Sequence, residues 1–213
     1  MTRILAVADE VDEGMYGERL PRLAPEVVVA CGDLPFDYLE YLVSRLDVPL
    51  VYVPGNHDPD LHAPSRTWTA LSHDVEDPGP PGCINADGRV VAVAGLRVAG
   101  LGGSVRYRPG PNQYTQAEMR WRALRLELRL RVRPARSGRR LDILITHAPP
   151  DMVDRPDTDP AHHGFKAFDR LLRHTSPRAH VYGHVHPYGV AQPVRKLGST
   201  QLVNAVPYRV FDV

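Results

Sequence analysis

The chain has 213 residues, of which 24% are charged and 43% hydrophobic, and its formal net charge is +1. These values are ordinary for a folded globular protein, and the near-neutral charge argues against binding to extended duplex nucleic acid. No window approaches the ~20 apolar residues of a membrane helix, and the N-terminus lacks the pattern of a signal peptide. We therefore expect a single domain over residues 1–213. We expect it to be cytoplasmic and to have no membrane partner. The sequence does not indicate an oligomeric state.

Six segments are rich in Val, Ile, Leu and Ala and are predicted to be strands. Because their apolar residues are nearly continuous, both faces of each strand should be buried, as in a sheet covered by helices. The segments are Arg3–Ala8, Val27–Cys31, Leu50–Val53, Val90–Leu101, Leu141–Ile145 and Ala179–Tyr182.

Three segments between these strands have apolar residues at helical spacing. They are Phe36–Leu46, a long segment from Thr115 to Val132, and Phe165–His174. Thr115 and Glu118 form the pattern of a capping box at the start of the long segment. Within it, the spacing of Trp121, Leu124 and Leu128 predicts one buried stripe.

Side chains that can bind metals follow five of the predicted strands, at the point where each strand ends. Taken alone, each is typical of a turn or a helix cap. Because ligand sites in open α/β sheets form at the carboxyl ends of the strands, the five together favour one shared site. The side chains are those of Asp9, Asp33, Asn56, His57, Asp58, His147, His184 and His186.

These motifs resemble those of the calcineurin-like metallophosphoesterases, from the first predicted strand to about residue 190. The Gly-Leu-Gly-Gly-Ser sequence at 100–104 and the Thr-His-Ala-Pro-Pro sequence at 146–150 are similar to the small single-domain branch of that family. The resemblance implies an α/β fold, a four-layered α/β/β/α sandwich of the metallophosphoesterase type. The motifs that carry it are Asp9, Gly32-Asp33, Gly55-Asn56-His57-Asp58, Thr146-His147 and Gly183-His184-Val185-His186.

The resemblance also implies a role for each residue in a dinuclear metal site. Asp33 is expected to bridge two divalent ions. His57 is expected to stabilise charge on the phosphate or to protonate the leaving oxygen, and Asp58 to orient His57. The other ligands divide into Asn56, His147 and His184 on one ion and Asp9 and His186 on the other.

Mixed carboxylate, amide and imidazole donors suit Mn²⁺, Fe or Zn²⁺ better than Ca²⁺. We expect two manganese ions as cofactors, with iron, zinc, nickel or magnesium as alternatives. Two such ions about 3.5–4 Å apart hold a bridging hydroxide and clamp an in-line displacement. The predicted function is hydrolysis of a phosphomonoester or phosphodiester, with a small or nucleotide-like phosphoester as the substrate.

The first motif departs from the family pattern Asp-x-His, because the sequence here is Asp9-Glu10-Val11. Valine cannot bind a metal, so one ion loses a ligand. Three outcomes stay open: water fills the place, Glu10 or Asp12 moves into it, or this ion is not bound. Even the outer hydrogen-bond partners of ligands are worth roughly 10–100-fold in affinity, so we expect a weakened but occupied site.

Val11 also keeps a second hypothesis open, a catalytically weak or inactive binding scaffold of the same fold. A third hypothesis is a nuclease that acts on short single strands.

His162 and His163, in the loop after His147, are either substrate contacts or solvated loop residues. The arginines within Arg120–Arg133 indicate a solvated helix face, with a phosphate or nucleic-acid contact as the alternative.

Overall fold

The computed structural model describes residues 1–61, 79–132, 140–153, 163–187 and 195–213. Within these ranges the chain forms two mixed β-sheets, a short two-stranded sheet and four α-helices. The helices are α1 Arg19–Leu23, α2 Phe36–Leu46, α3 Gln116–Val132 and α4 Lys166–Thr175. None of the helices in the described ranges is both long enough and apolar enough to cross a membrane.

The first sheet has five strands in the order β13-β1-β2-β3-β4. They are β1 Arg3–Val7, β2 Val27–Ala30, β3 Leu50–Tyr52, β4 Cys83–Asn85 and β13 Tyr208–Asp212. Strands β1 to β4 run parallel to their neighbours, and β13 pairs antiparallel with β1. The carboxyl ends of β1, β2 and β3 therefore lie along one edge, and each strand ends one residue before its predicted end.

The second sheet has six strands in the order β11-β12-β10-β9-β6-β5. They are β5 Val90–Val93, β6 Leu96–Leu101, β9 Ile143–Thr146, β10 Ala179–Tyr182, β11 Arg195–Leu197 and β12 Thr200–Asn204. Strands β6, β9, β10 and β12 are parallel to one another, whereas β5 and β11 are antiparallel edge strands. The two strands β7 Ser104–Val105 and β8 Gln113–Tyr114 form the small third sheet.

One predicted strand, Val90–Leu101, is instead a hairpin made of β5 and β6. Val93 pairs with Leu96, so Ala94 and Gly95 form a two-residue turn. Both turn residues have positive φ, at 46° and 78°, which is typical of a type I′ turn. The continuous apolar run concealed this turn, because alanine is not among the residues that favour the left-handed backbone it requires.

The packing of alternate residues gives the order of the layers. In β1, Ile4 packs between the two sheets, whereas Leu5 packs against α1 and α2. In β9, Ile145 packs between the sheets, whereas Leu144 packs against α3 and α4. The layers are therefore helix, sheet, sheet, helix, and inner strands such as β2 and β9 are buried at every position because both of their faces are covered.

Helix α3 begins at the predicted capping box but buries a different face from the predicted one. Thr115 Oγ1 accepts the N–H of Glu118 at 3.2 Å, and Glu118 Oε2 accepts the N–H of Thr115 at 2.7 Å. The prediction of a buried stripe is wrong, because Trp121 and Leu128 are 66% and 58% exposed and Leu124 is only half-buried. The buried apolar face consists of Met119, Ala123, Leu126 and Leu130.

Candidate metal centre

Four of the predicted ligands form one cluster where the strand ends of the two sheets meet. Asp9 and Asp33 follow β1 and β2 of the first sheet, and His147 and His184 follow β9 and β10 of the second. One ligand atom from each of these four side chains lies within 4.8 Å of all the others. Asn56, which follows β3, joins them because its Oδ1 lies 2.9 Å from Nε2 of His147.

Three residues of this cluster have an unusual backbone conformation. The φ angles of Asp9, Asp33 and His184 are 61°, 56° and 65°, in the left-handed region that costs a non-glycine residue about 1 kcal/mol. Hydrogen bonds hold two of them in place: the N–H of Asp9 donates to Gly32 O at 3.1 Å, and the N–H of Asp33 donates to Asp58 Oδ2 at 3.0 Å. Such strain is typical of functional sites, because the surrounding structure must maintain it.

Two glycines let the loops of the site approach the carboxylates closely. A Cβ atom on Gly55 would overlap Oδ1 of Asp33, and one on Gly183 would overlap Oδ2 of Asp9. In the space next to Gly183, the backbone N–H of His184 donates to Oδ2 of Asp9 at 2.8 Å. Any larger side chain at these two positions would displace a carboxylate from the cluster.

The imidazole of His147 is fully buried, and both of its nitrogens have partners. Nδ1 lies 2.7 Å from the carbonyl oxygen of Cys31, and Nε2 lies 3.3 Å from Oδ2 of Asp33. Burial alone would lower the pKa of His147, but the hydrogen bond to Asp33 and the charges of Asp9 and Asp33 raise it to about 9. Histidines that bind metals usually donate their second nitrogen to a carbonyl in this way, so Nε2 is oriented for a metal.

The two carboxyl groups of the cluster differ in acidity. Burial raises the pKa of Asp9. Burial would also raise the pKa of Asp33, but the hydrogen bond and charge of His147 and the N–H of His57 lower it below its usual value. Asp33 is therefore ionised at neutral pH, with the proton on His147 balancing its charge. A bound cation could take over the neutralising role of that proton.

Asp58 holds the loop after β3 against the loop after β2. Its Oδ2 accepts the N–H of Gly55 at 2.7 Å and the N–H of Asp33 at 3.0 Å. The neighbouring His57 is exposed, and its backbone N–H donates to Oδ1 of Asp33 at 2.8 Å. The structure thus gives Asp58 a positioning role for Asp33, while the predicted actions of His57 on substrate and of Asp58 on His57 stay predictions.

Glu10, the residue after Asp9, contacts the last predicted ligand, His186. Oε1 of Glu10 lies 2.6 Å from Nδ1 of His186, and Nε2 of His186 lies 3.9 Å from Oδ1 of Asp9. This arrangement turns the second nitrogen of His186 towards the cluster. His186 lies at its margin, because the group within 4.8 Å comprises Asp9, Asp33, His147 and His184.

The two residues after Glu10 are engaged elsewhere. Val11 is half-buried and packs against the apolar cluster between the first sheet and its helices. Oδ1 of Asp12 accepts the N–H of Gly14 at 2.8 Å and caps the 3-10 helix Glu13–Tyr16. Of the two residues that the sequence offered as a replacement ligand, Glu10 is therefore the one placed beside a predicted ligand.

Sequence reasoning missed one residue next to the cluster, Tyr107, whose hydroxyl accepts a hydrogen bond from Nδ2 of Asn56 at 3.3 Å. The guanidinium of Arg108 lies over the Tyr107 ring at 5.3 Å. Both residues lie in a loop rich in Gly and Pro, a local pattern that singles out neither side chain. His163 is exposed just before α4, and His162 lies outside the described residues, so their proposed substrate contact stays a prediction.

The donors of this cluster fit a divalent transition metal. They combine carboxylate and amide oxygens with imidazole nitrogens, whereas Ca²⁺ sites in proteins are built from oxygens alone. The glycine contacts and the fixed Nδ1 of His147 hold the donors ready to bind. A four-layered sandwich with this donor set at its strand ends defines a protein of the metallophosphoesterase type.

The chain belongs to the calcineurin-like phosphoesterase family, whose model matches residues 4–188. No curated protein matches it in sequence. Among solved structures it is similar to the crystal structure of TT1561 of Thermus thermophilus, with a TM-score of 0.59 and 18% identity over 96% of this chain and 88% of that chain. A single mutant of Vps29 from Entamoeba histolytica gives a TM-score of 0.43 and 11% identity over 95% of this chain and 73% of that chain. At this identity the first likeness supports the fold alone, and the second is too weak to support any conclusion.

Proposed function

We propose that the protein is a metal-dependent phosphoric ester hydrolase, a phosphatase or phosphodiesterase that acts on a small or nucleotide-like phosphoester. The observation that carries this proposal is the cluster of Asp9, Asp33, His147 and His184, with ligand atoms within 4.8 Å of one another. Membership of the calcineurin-like phosphoesterase family supports it, because members of that family are usually hydrolases.

Two divalent ions, manganese in the first place, are the proposed cofactors. Asp33 is the proposed shared ligand, because its carboxylate contacts His147 on one side and belongs to the same cluster as Asp9. When bound, the ions would neutralise the phosphate and supply a water acidic enough to attack at neutral pH. The further proposed ligands are Asn56, His147 and His184 for one ion and Asp9 and His186 for the other.

The residues around the cluster have the chemistry to handle the substrate. His57 is exposed beside Asp33 and held there by its backbone N–H, so its ring is proposed to give a proton to the leaving oxygen. Tyr107 is tied to Asn56 by a hydrogen bond, and Arg108 stacks on its ring. This pair is proposed to hold a phosphate oxygen by hydrogen bond and charge.

Glu10 is proposed to compensate in part for the imidazole that Val11 replaces. Its carboxylate accepts the N–H of Nδ1 of His186 across 2.6 Å, so Nε2 is left to bind the metal. A carboxylate in that position fixes the ring and makes the ligand more basic. The proposed role is therefore to orient His186, and direct binding of the metal by Glu10 is the alternative.

The test is a metal-depletion experiment on the purified full chain. We expect chelation to abolish hydrolysis of p-nitrophenyl phosphate and bis(p-nitrophenyl) phosphate, and Mn²⁺ to restore it better than iron, zinc, nickel or magnesium. A matched assay on a short single-stranded oligonucleotide separates a nuclease from an enzyme for small molecules. The control is Asp33→Asn, which should stay inactive in Mn²⁺.

Val11 supports one rival function, a binding scaffold whose metal site no longer works. Under that function the purified protein would bind almost no metal by mass spectrometry and would stay inert after addition of Mn²⁺. Such a result, with a folded protein by circular dichroism, would reject the hydrolase in favour of the scaffold.

A further inference from the structure

Helix α3 carries a second apolar face that nothing in the described chain covers. Its residues are large and exposed: Trp121 is 66%, Leu128 58% and Val132 79% accessible, with Leu124 half-buried between them. Their positions, i, i+3, i+7 and i+11, form one stripe along the helix. At 1.5 Å per residue the stripe is about 16 Å long, or three helical turns. Contiguous exposed apolar surface of this kind is typical of an interaction site.

The stripe borders a groove of about 710 Å³ between α3 and α4. Trp121 and Leu124 supply its apolar lining, and no carboxylate is among the described residues that line it. Arg170 lies 3.8 Å from the carboxylate of Glu127, which is itself only 7% exposed. The remaining lining residues are Gln116, Ala117, Arg120, Lys166 and Ala167.

The arginines of α3 that flank the stripe carry charge that is not balanced locally. Arg120 and Arg125 are exposed and form no ion pair within the part of the chain that the structure describes. Arg122, on the inner side, is different, because it pairs with the buried carboxylate of Asp87 at 2.5 Å. The surface around Trp121 is therefore both apolar and positively charged.

We propose that this surface, the α3 outer face, binds an acidic amphipathic helix of a partner protein. A helix laid along the groove would place its apolar residues on Trp121, Leu124 and Leu128, as in other helix-in-groove complexes. Its Asp and Glu residues would face Arg120, Lys166 and other cations of the rim. The inference does not depend on the proposed hydrolase, because the stripe belongs to the solvent side of the outer helix layer.

Charge and shape favour an acidic helix over two other possible binding partners, a second copy of the chain and single-stranded nucleic acid. A second copy docked through the same face would bring the arginines and Lys166 of both copies close together, which is unfavourable. Single-stranded nucleic acid is usually held by several aromatic rings on which successive bases stack. The stripe offers one ring, Trp121, followed by aliphatic side chains, which suit the leucines of a helix better than bases.

Tryptophan fluorescence offers a direct test. The chain has two tryptophans, so the change Trp68→Phe leaves Trp121 as the only reporter. The probe is a peptide of about 18 residues, five helical turns, with leucines on one face and Glu, Gln and Ala on the other. Its control is a peptide of the same composition in scrambled order. We expect a saturable blue shift with the amphipathic peptide, weakened when the ionic strength is raised from about 0.1 M to about 1 M.

Two variants locate the binding surface. Leu128→Ser should weaken binding about tenfold, the effect of losing one buried leucine contact of roughly 1.5 kcal/mol. Ile84→Ser is the matched control, because Ile84 is also an exposed aliphatic residue but lies on β4 of the first sheet. Both variants remove exposed side chains, so circular dichroism should show an unchanged fold, and Ile84→Ser should bind as the parent does.

Three results would overturn the proposal. The first is equal or absent binding of the amphipathic and scrambled peptides. The second is a dimer in sedimentation experiments that dissociates on Leu128→Glu, which would assign the face to a second copy. The third is tighter binding of an oligo(dT) strand than of the peptide, again sensitive to Leu128→Ser, which would assign it to nucleic acid.

Discussion

The two sides of the candidate metal centre are built differently. On the inner side, Asn56, His147 and His184 are 3%, 0% and 7% exposed. On the outer side, the side chains of His186 and Glu10 are 35% and 51% exposed. The inner imidazole of His147 is tied to a backbone carbonyl, whereas the outer His186 and Glu10 contact each other through accessible side chains.

This difference follows the one departure from the family motifs. The ligands predicted for the inner ion are all present, and the imidazole expected in place of Val11 was predicted to bind the outer ion. Donors that are buried and fixed in advance lose little freedom when a metal binds. We therefore expect the inner ion to be held tightly and the outer ion to exchange more readily.

The largest expected effect comes from comparing His147→Gln with His186→Gln. We expect the inner change to lower kcat/KM for a diester at least about 1,000-fold, since about 4 kcal/mol of stabilisation corresponds to three factors of ten. His186→Gln should lower kcat/KM roughly 10–100-fold, and excess Mn²⁺ should partly restore it. Steady-state kinetics with Mn²⁺ titration measures both, and equal losses would contradict a difference between the two sides.

A smaller effect is expected from Glu10, with Asp12 as its matched control. Glu10→Ala should weaken binding of one Mn²⁺ roughly 10–100-fold, because His186 loses the carboxylate that orients it. Asp12→Ala should leave that affinity unchanged but lower the free energy of unfolding by about 1 kcal/mol, because a helix cap is lost. Calorimetry and denaturant unfolding separate the two outcomes. If Asp12→Ala weakened metal binding and Glu10→Ala did not, the proposed role of Glu10 would be wrong.

The third expected effect is a dependence of metal affinity on pH, which we expect to be strongest on the inner side. The pKa of His147 is raised to about 9, so below that pH the metal-free imidazole carries a proton that a metal must displace. Affinity for Mn²⁺ should therefore fall as the pH is lowered, by about tenfold per pH unit for each proton displaced. Calorimetry in buffers of different ionisation enthalpy counts those protons. An affinity that stays constant between about pH 6 and 8 would contradict this coupling.

Most elements were predictable because the strands are apolar on both faces and the helices have regular spacing, whereas the four layers were expected from the resemblance to the family. The strand ends were also informative, since Asp9, Asp33, Asn56, His147 and His184 do meet in space. Each of these residues could be recognised from its place just after a predicted strand. Because the parallel strands end at the same edge of the sheets, residues that follow them lie close together.

What could not be predicted depends on packing between distant segments. Helix α3 has two apolar faces, so only the tertiary contacts show that Met119 is buried and Trp121 is exposed. The place of Glu10 beside His186 depends on two loops 176 residues apart, which no local pattern connects. Tyr107 was missed for the same reason, because an isolated tyrosine in a loop gives no signal of its neighbour Asn56.

The most direct test is the position of bound metal in crystals soaked with Mn²⁺, read from the anomalous scattering of manganese. We expect a strong peak surrounded by Asp33, Asn56, His147 and His184, and a weaker one beside Asp9 and His186. Soaked crystals that show no peak among these residues, or peaks only elsewhere on the molecule, would contradict the central claim.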